Sequence, residues 1–166
     1  KHYIPFWKTG DPYGFLSNWY PSTFTVDGTT FKTSEHYLMY QKALLFDDIA
    51  TGILILSASN PAAVKRLGRQ VKNFNQRVWD ENKFDIMCKG LYYKFSQNPS
   101  LREKLLDTNN AILVEASPYD RVWGIGLAAT DEFHCPDPKD WRGENLLGEA
   151  LMETRGRLRQ ELTVRK

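Results

Sequence analysis

A chain of 166 residues falls in the length range of one domain and is long enough to bury a core without disulfide or metal support. It is 42% hydrophobic and 25% charged, and 22 Lys and Arg against 20 Asp and Glu leave a formal charge of +2. That balance excludes a protein that grips nucleic acid chiefly by neutralising phosphates, although a local basic patch is compatible with it.

The segments 2–7 and 22–32 read as strands. Within the second, Asp27-Gly28 separates Phe24-Thr25-Val26 from Thr29–Lys32, a two-residue hairpin signal because glycine accepts positive φ. A helix is expected to open at Thr33 or Ser34, either of which can cap it. It carries Glu35 in its first turn, where the helix dipole favours an acid, and runs through Tyr37, Met39, Tyr40, Leu44 and Leu45. Asn60-Pro61 starts another helix, a cap residue followed by proline, and Gly68 ends it. From Gln76 to Gln97 apolar residues recur at three- and four-residue steps (Phe84, Met87, Cys88, Leu91, Phe95), the mark of an amphipathic helix. Asn98-Pro99 opens a short helix to Leu106, and Ala111–Ala116 is a buried strand. Ser117–Arg142 is rich in Gly, Pro and Asp and reads as a long functional loop. The last helix is expected from about Asn145 to Glu161, with Leu147, Leu151, Leu158 and Leu162 facing inward. This order predicts an α+β protein, a single helix-dominated domain over residues 1–166 with a small β-sheet.

Cys88 and Cys135 show neither a disulfide framework nor zinc-ligand spacing and read as reduced thiols. No apolar run approaches the ~20 residues of a bilayer span, and no signal-peptide pattern is present. The default placement is therefore cytoplasmic, with a nuclear one left open and no membrane association. A start at Lys1 rather than Met leaves room for a missing upstream segment.

Four segments carry residues suited to chemistry. In the helix from Ser34 to Ala43, Glu35 and Lys42 are seven positions apart, about 20° around the axis and roughly 10 Å along it. They share a face and can reach one cleft from opposite ends. Burial beside Ala43 and Leu44 would lower the Lys42 pKa and free an amine nucleophile; a solvated charged pair is the plainer reading of the same spacing. In the second segment, Glu115–Gly126, a strand gives way to a loop with Asp120, Trp123, Gly124 and Gly126. Glycines there allow close backbone approach to a ribose or phosphate, Trp123 can stack on a base, and Asp120 can polarise water or hold a hydroxyl. A turn around a buried tryptophan explains it equally. In the third, Trp141–Gly148, Arg142 leads to a helix start near Asn145, whose free amides would suit a phosphate; an ordinary helix cap beside an arginine is the alternative. The fourth, Gly14–Trp19, offers Ser17 and Asn18 between the rings of Phe15 and Trp19, though turn chemistry explains both polar residues. Lys65, Arg66, Arg69, Lys72 and Arg77 form a basic stretch that either steers a phosphorylated substrate or is a solvated face. His134-Cys135 with Asp131 or Asp137 is too crowded for a metal site, and His2 and His134 receive no role.

Taken in this order, the segments resemble the NADAR family (NAD- and ADP-ribose-associated domains). The resemblance is carried by Phe15-Leu16-Ser17-Asn18, by Thr33-Ser34-Glu35-His36-Tyr37 with Gln41-Lys42-Ala43, and by Arg66-Leu67-Gly68-Arg69. It continues through Trp79, Tyr119-Asp120, Trp123-Gly124 with Gly126, and Asn145-Leu146-Leu147-Gly148. It implies a NADAR-like fold and an N-glycosidic bond hydrolase that needs no metal or redox cofactor. Two substrate classes follow from it: ADP-ribosylated guanine bases of DNA or RNA, and ribosylaminopyrimidine phosphates of riboflavin biosynthesis. In both, ribose C1′ is bonded to an exocyclic amine, so the sugar can open to an imine. The residues implied for chemistry are Glu35, Lys42 and Asp120. Those implied for the ligand are Phe15, Ser17, Asn18, His36, Arg69, Trp79, Tyr119, Trp123, Gly124, Gly126, Arg142, Asn145, Leu147 and Gly148. The leading expectation is removal of ADP-ribose from guanine, with the riboflavin intermediate second. A non-catalytic ADP-ribose or NAD-binding module is the alternative of another class, and the oligomeric state is left open.

Overall fold

The computed structural model describes residues 2–131 and 134–165. In chain order its elements begin with β1 (Tyr3–Phe6), β2 (Phe24–Val26), β3 (Thr29–Phe31), α1 (Ser34–Leu45) and α2 (Ile49–Ser57). They continue with α3 (Pro61–Gly68), α4 (Gln76–Gln97), α5 (Pro99–Leu106), β4 (Ile112–Glu115) and α6 (Leu146–Arg165). Helices dominate, and the strands pair as two small sheets, β1 with β4 in parallel and β2 with β3 antiparallel. The class is α+β, as the order of signals in the sequence requires. The chain forms two compact units, one from Pro21 to Asn98 and the other from the chain up to Tyr20 together with the chain from Pro99 onward.

In the central unit, Asp27 and Gly28 both take positive φ, 50° and 84°, which is the turn a two-residue hairpin needs. The hairpin presents Phe24, Val26 and Phe31 to a core completed by Tyr37 of α1. Helix α1 packs against α2, α3 and α4. Because it is surrounded, six consecutive residues from Ser34 to Met39 are buried, and no single apolar stripe marks it. Thr33 caps it by accepting from the His36 amide at 3.1 Å, and Asn60 and Asn75 cap α3 and α4 in the same way. Helix α2, which the sequence reading assigned to no element, is capped by Asp48. It buries Thr51, Gly52 and Ile55 while leaving Ile49, Ile53 and Leu54 exposed, so its apolar residues do not report which face is inside.

The other unit is organised by β4, which pairs with β1 and packs against α6. The 117–142 loop contains only a short 3-10 turn at Pro138–Asp140 and an isolated bridge between Asp131 and His134 among its described residues; positions 132 and 133 lie outside them. Helix α6 continues to Arg165 rather than ending at Glu161. Leu147, Leu151 and Leu158 face inward as expected, but Leu162 is 44% exposed, beyond the last turn that the core covers. Among the described residues no helix is long and apolar enough to cross a membrane.

Candidate active site

Of the residues singled out above, Glu35, Lys42, Arg69 and Trp79 belong to the central unit and come together there. Glu35 sits in the first turn of α1 and is 7% exposed, an expensive place for a carboxyl group unless its surroundings use it. Two turns later Lys42 projects its Nζ over two aromatic faces, 4.6 Å from the Phe74 ring centroid and 5.9 Å from that of Trp79. Burial lowers the Lys42 pKa, the Glu35 carboxylate opposes that effect, and the Arg69 guanidinium adds to it. Lys42 and Glu35 are thus electrostatically coupled along one helix face, and Arg69 at the end of α3 shares their field.

Phe74 is the aromatic nearest the amine, and neither its residue type nor its spacing announces it in the sequence. Its ring lies 5.3 Å from Phe46, the residue that ends α1. The segment carrying it is tied to the α1–α2 corner by Asp48. That carboxylate accepts from the Thr51 amide at 3.1 Å, the Thr51 hydroxyl at 2.7 Å and the Lys72 amide at 2.9 Å. The Lys72 bond, followed by those from Thr51, holds the Asp48 pKa below the ordinary carboxylate value. Asp48 therefore has two tasks, capping α2 and fixing the turn that brings Phe74 to Lys42.

His36 is placed differently from a ligand-facing side chain. Its Nε2 donates to the Ala58 carbonyl at 2.9 Å, and its Nδ1 accepts from the Thr33 hydroxyl at 2.7 Å. Burial lowers the pKa of this ring, and in its neutral form a ring that donates at Nε2 accepts at Nδ1. Both nitrogens are committed to joining the start of α1 to the end of α2.

The remaining candidates belong to the unit of the chain ends. Phe15, Ser17 and Asn18 are buried around the 3-10 turn Gly14–Leu16, where the Ser17 hydroxyl accepts from the Trp19 amide at 3.1 Å. Asp120 Oδ1 accepts from the Val122 and Trp123 amides at 2.9 and 2.8 Å, which fixes the carboxylate to its own loop. Gly126 has φ +71°, and a Cβ at Gly124 would press on the carbonyls of Asp120 and Glu115; this loop needs both glycines. Tyr119 is 83% exposed and meets Trp7 in a tilted ring contact, Trp123 is half-buried, and the Arg142 side chain is exposed.

The expectation of free amides at the α6 start is corrected by the structure. The amides of Asn145, Leu146 and Leu147 donate to the carbonyls of Gly124, Val122 and Trp123 at 3.1 Å each, so those donors are already occupied by the preceding loop. The Asn145 side chain accepts from the Glu115 amide and donates to the Leu113 carbonyl, both at 2.9 Å. A Cβ at Gly148 would overlap that same Leu113 carbonyl, and Leu147 is fully buried. Asn145, Leu147 and Gly148 clamp α6 onto β4. Their sequence signal is real, but its physical content is packing.

Comparison with known proteins places these features in a family context. The NADAR domain model matches residues 5–159. The chain is 46% identical to N-glycosidase R617 of Acanthamoeba polyphaga mimivirus, over 84% of this chain and 85% of that protein. It is 34% identical to riboflavin biosynthesis protein VVA0006 of Vibrio vulnificus, covering 95% of this chain but 39% of that longer protein. Among solved structures it is similar to the E. coli protein YbiA, determined by NMR, with a TM-score of 0.80 and 36% identity over 98% of this chain and 88% of that one.

Proposed function

This chain belongs to the NADAR family, and on that premise we propose that it is an N-glycosidase whose substrate is an ADP-ribosylated guanine base of nucleic acid. The observation that carries the reading is Lys42: an amine with a lowered pKa, set over Phe74 and Trp79 and coupled to Glu35. A relative named as an N-glycosidase, matched over most of both chains, supports the reaction type.

The chemistry follows from an exocyclic amine on C1′. Glu35 takes up the proton that Lys42 gives up to become a free amine and passes it to the ring oxygen, the C1′–O bond opens, and the nitrogen lone pair forms an iminium. Lys42 adds to C1′, and the guanine leaves as its free amine, so that a lysine Schiff base remains. Water adds to that imine, Lys42 departs as an amine, and the released sugar recloses. An acid and an amine nucleophile around one carbon are what covalent catalysis of this kind needs.

The match to a riboflavin biosynthesis protein favours a second substrate, a ribosylaminopyrimidine phosphate, for the same reaction. Incubation with each substrate in turn, with borohydride added during turnover, tests both levels. The expected result is release of ADP-ribose from the modified oligonucleotide and a reduced ribosyl adduct on the Lys42 peptide. Product without an adduct overturns the covalent step, and turnover of the pyrimidine phosphate alone overturns the guanine assignment.

A further inference from the structure

We propose that the outer face of α2 is a self-association surface, on which the α2 of a second copy of this chain docks antiparallel about a two-fold axis. The face is one that the N-glycosidase reading leaves unused, and the proposal does not rest on that reading. All the residues involved lie in the unit Pro21–Asn98.

Helix α2 has two distinct sides. At about 100° per residue, Thr51, Gly52 and Ile55 fall on one arc and are buried. Ile49, Ala50, Ile53, Leu54 and Ser57 fall on the opposite arc and are exposed, and the three large aliphatics among them are each more than half exposed. No residue from Ile49 to Ser57 is charged. A single exposed leucine needs no explanation, but three bulky aliphatics on one uncharged helix face form the kind of patch that marks an interaction site. A lipid surface is a poor match, because a helix lying on a membrane carries Lys and Arg beside its apolar face.

Two features make the face complementary to itself. Its flanking charges are opposite in sign and stand at opposite ends. Exposed Asp47 immediately precedes the Asp48 cap, and at the far end Lys32 Nζ donates to the Ala58 carbonyl at 3.3 Å. Antiparallel packing turns the Asp47 carboxylate of one copy toward the Lys32 ammonium of the other, twice over; parallel packing would set like charges and like helix ends against each other. With the axis between Ile53 and Leu54, Ile53 of one copy meets Leu54 of the other and Ala50 meets Ser57. Bulky side chains then fill the centre while small ones let the helix ends approach, and one patch serves both copies, as a two-fold interface requires. A nine-residue helix is only about 14 Å long, so the contact falls short of the roughly 800 Å² per partner of a stable interface. The dimer is therefore a weak one, forming at roughly 10–100 µM.

Sedimentation equilibrium on the 166-residue chain tests the assignment. The average mass should rise from one chain toward two as the concentration passes through that range. Ile53→Lys, which sets two ammonium groups beside the axis, should stay monomeric throughout. Because the position is exposed, its melting temperature should equal the parent's at a concentration where both are monomeric. Asp47→Asn keeps a residue type that accepts the φ of 57° at this position. It should weaken the dimer about threefold, the size expected for two exposed ion pairs, and it decides the matter if Ile53→Lys does not fold. The proposal is overturned if the parent stays monomeric at every concentration, if Ile53→Lys dimerises as the parent does, or if Asp47→Asn leaves the dissociation constant unchanged. A monomeric parent that instead sediments with phosphatidylcholine vesicles also overturns it, in favour of a lipid surface. N-glycosidase turnover, measured on the same parent sample, fails or succeeds independently of these masses.

Discussion

Lys42 is held between two opposing influences. The Phe74 and Trp79 faces favour an ammonium, since a cation over an aromatic ring gains roughly 0.5–2 kcal/mol. Burial favours the neutral amine, and its effect is the largest on this group. Every unit by which the pKa falls below about 10.4 increases the free amine at neutral pH tenfold, so the environment raises the share of free amine that the proposed nucleophile needs while still binding its protonated form. The lowered native pKa means that the unfolded chain holds this proton more tightly. Lys42 therefore costs stability below its native pKa, and the cost disappears as pH rises through the native value toward about 10.4. Lys42→Met should accordingly be inactive at every pH, yet melt no lower than the parent at pH 7, with the difference between them closing as the pH approaches 10. A marked fall in melting temperature at pH 7 would make the amine structural. The Glu35–Lys42 pair is legible in the sequence because a seven-residue interval is a helix-face relation. Phe74 is not, since it reaches the amine only through the path fixed by Asp48. His36 has a clear local signal, but a sequence cannot show that both of its ring nitrogens are already engaged.

Helix α1 is held to its neighbours by close approaches that leave no slack. At Gly90 of α4 an added Cβ would overlap the Tyr37 ring, which is 1% exposed and packed against Phe24 and Phe31. Alanine there would gain about 1 kcal/mol of helix propensity, while overpacking a rigid aromatic cluster costs about 1–3 kcal/mol. The ring has no free side to move into, so the overlap prevails. Gly90→Ala should lower the urea midpoint with an unchanged slope, and a raised midpoint would show that Tyr37 yields at no cost. Elements are where the sequence is most informative: the hairpin follows from an Asp-Gly turn, α3 and α5 from Asn-Pro signals, and α4 from apolar residues at three- and four-residue steps, all relations within a few residues. Helix α2 was not legible because its Ile and Leu residues point to both sides. The α6 start was legible as a helix but not as a clamp, because its amides find partners more than twenty residues back in the chain, around Val122–Gly124.

At the scale of the whole chain, the family model spans residues 5–159 and so takes in parts of both compact units. No change of composition marks their boundaries. Both fall at an X-Pro step, Tyr20-Pro21 and Asn98-Pro99, where the residue before proline is turned away from helix; the second was legible only as a helix cap. Net charge, by contrast, is plain from the sequence and constrains how the proposed nucleic-acid substrate would be held. A surplus of only two positive charges is suited to gripping the modified nucleotide and few of the surrounding phosphates. A protein making about 6–10 phosphate contacts loses roughly 10³–10⁵ in affinity between 50 and 200 mM salt. One or two contacts, with a logarithmic slope of about −0.9 per contact, give a loss of only about 3- to 12-fold over the same range. The KM for an ADP-ribosylated oligonucleotide should therefore rise by about tenfold or less across that interval, close to the change for an ADP-ribosylated guanine mononucleotide. A hundredfold rise for the oligonucleotide alone would mean that the exposed basic residues Arg66, Arg69, Lys72 and Arg77 form an extended track for the strand, and that the near-neutral total conceals a concentrated local field.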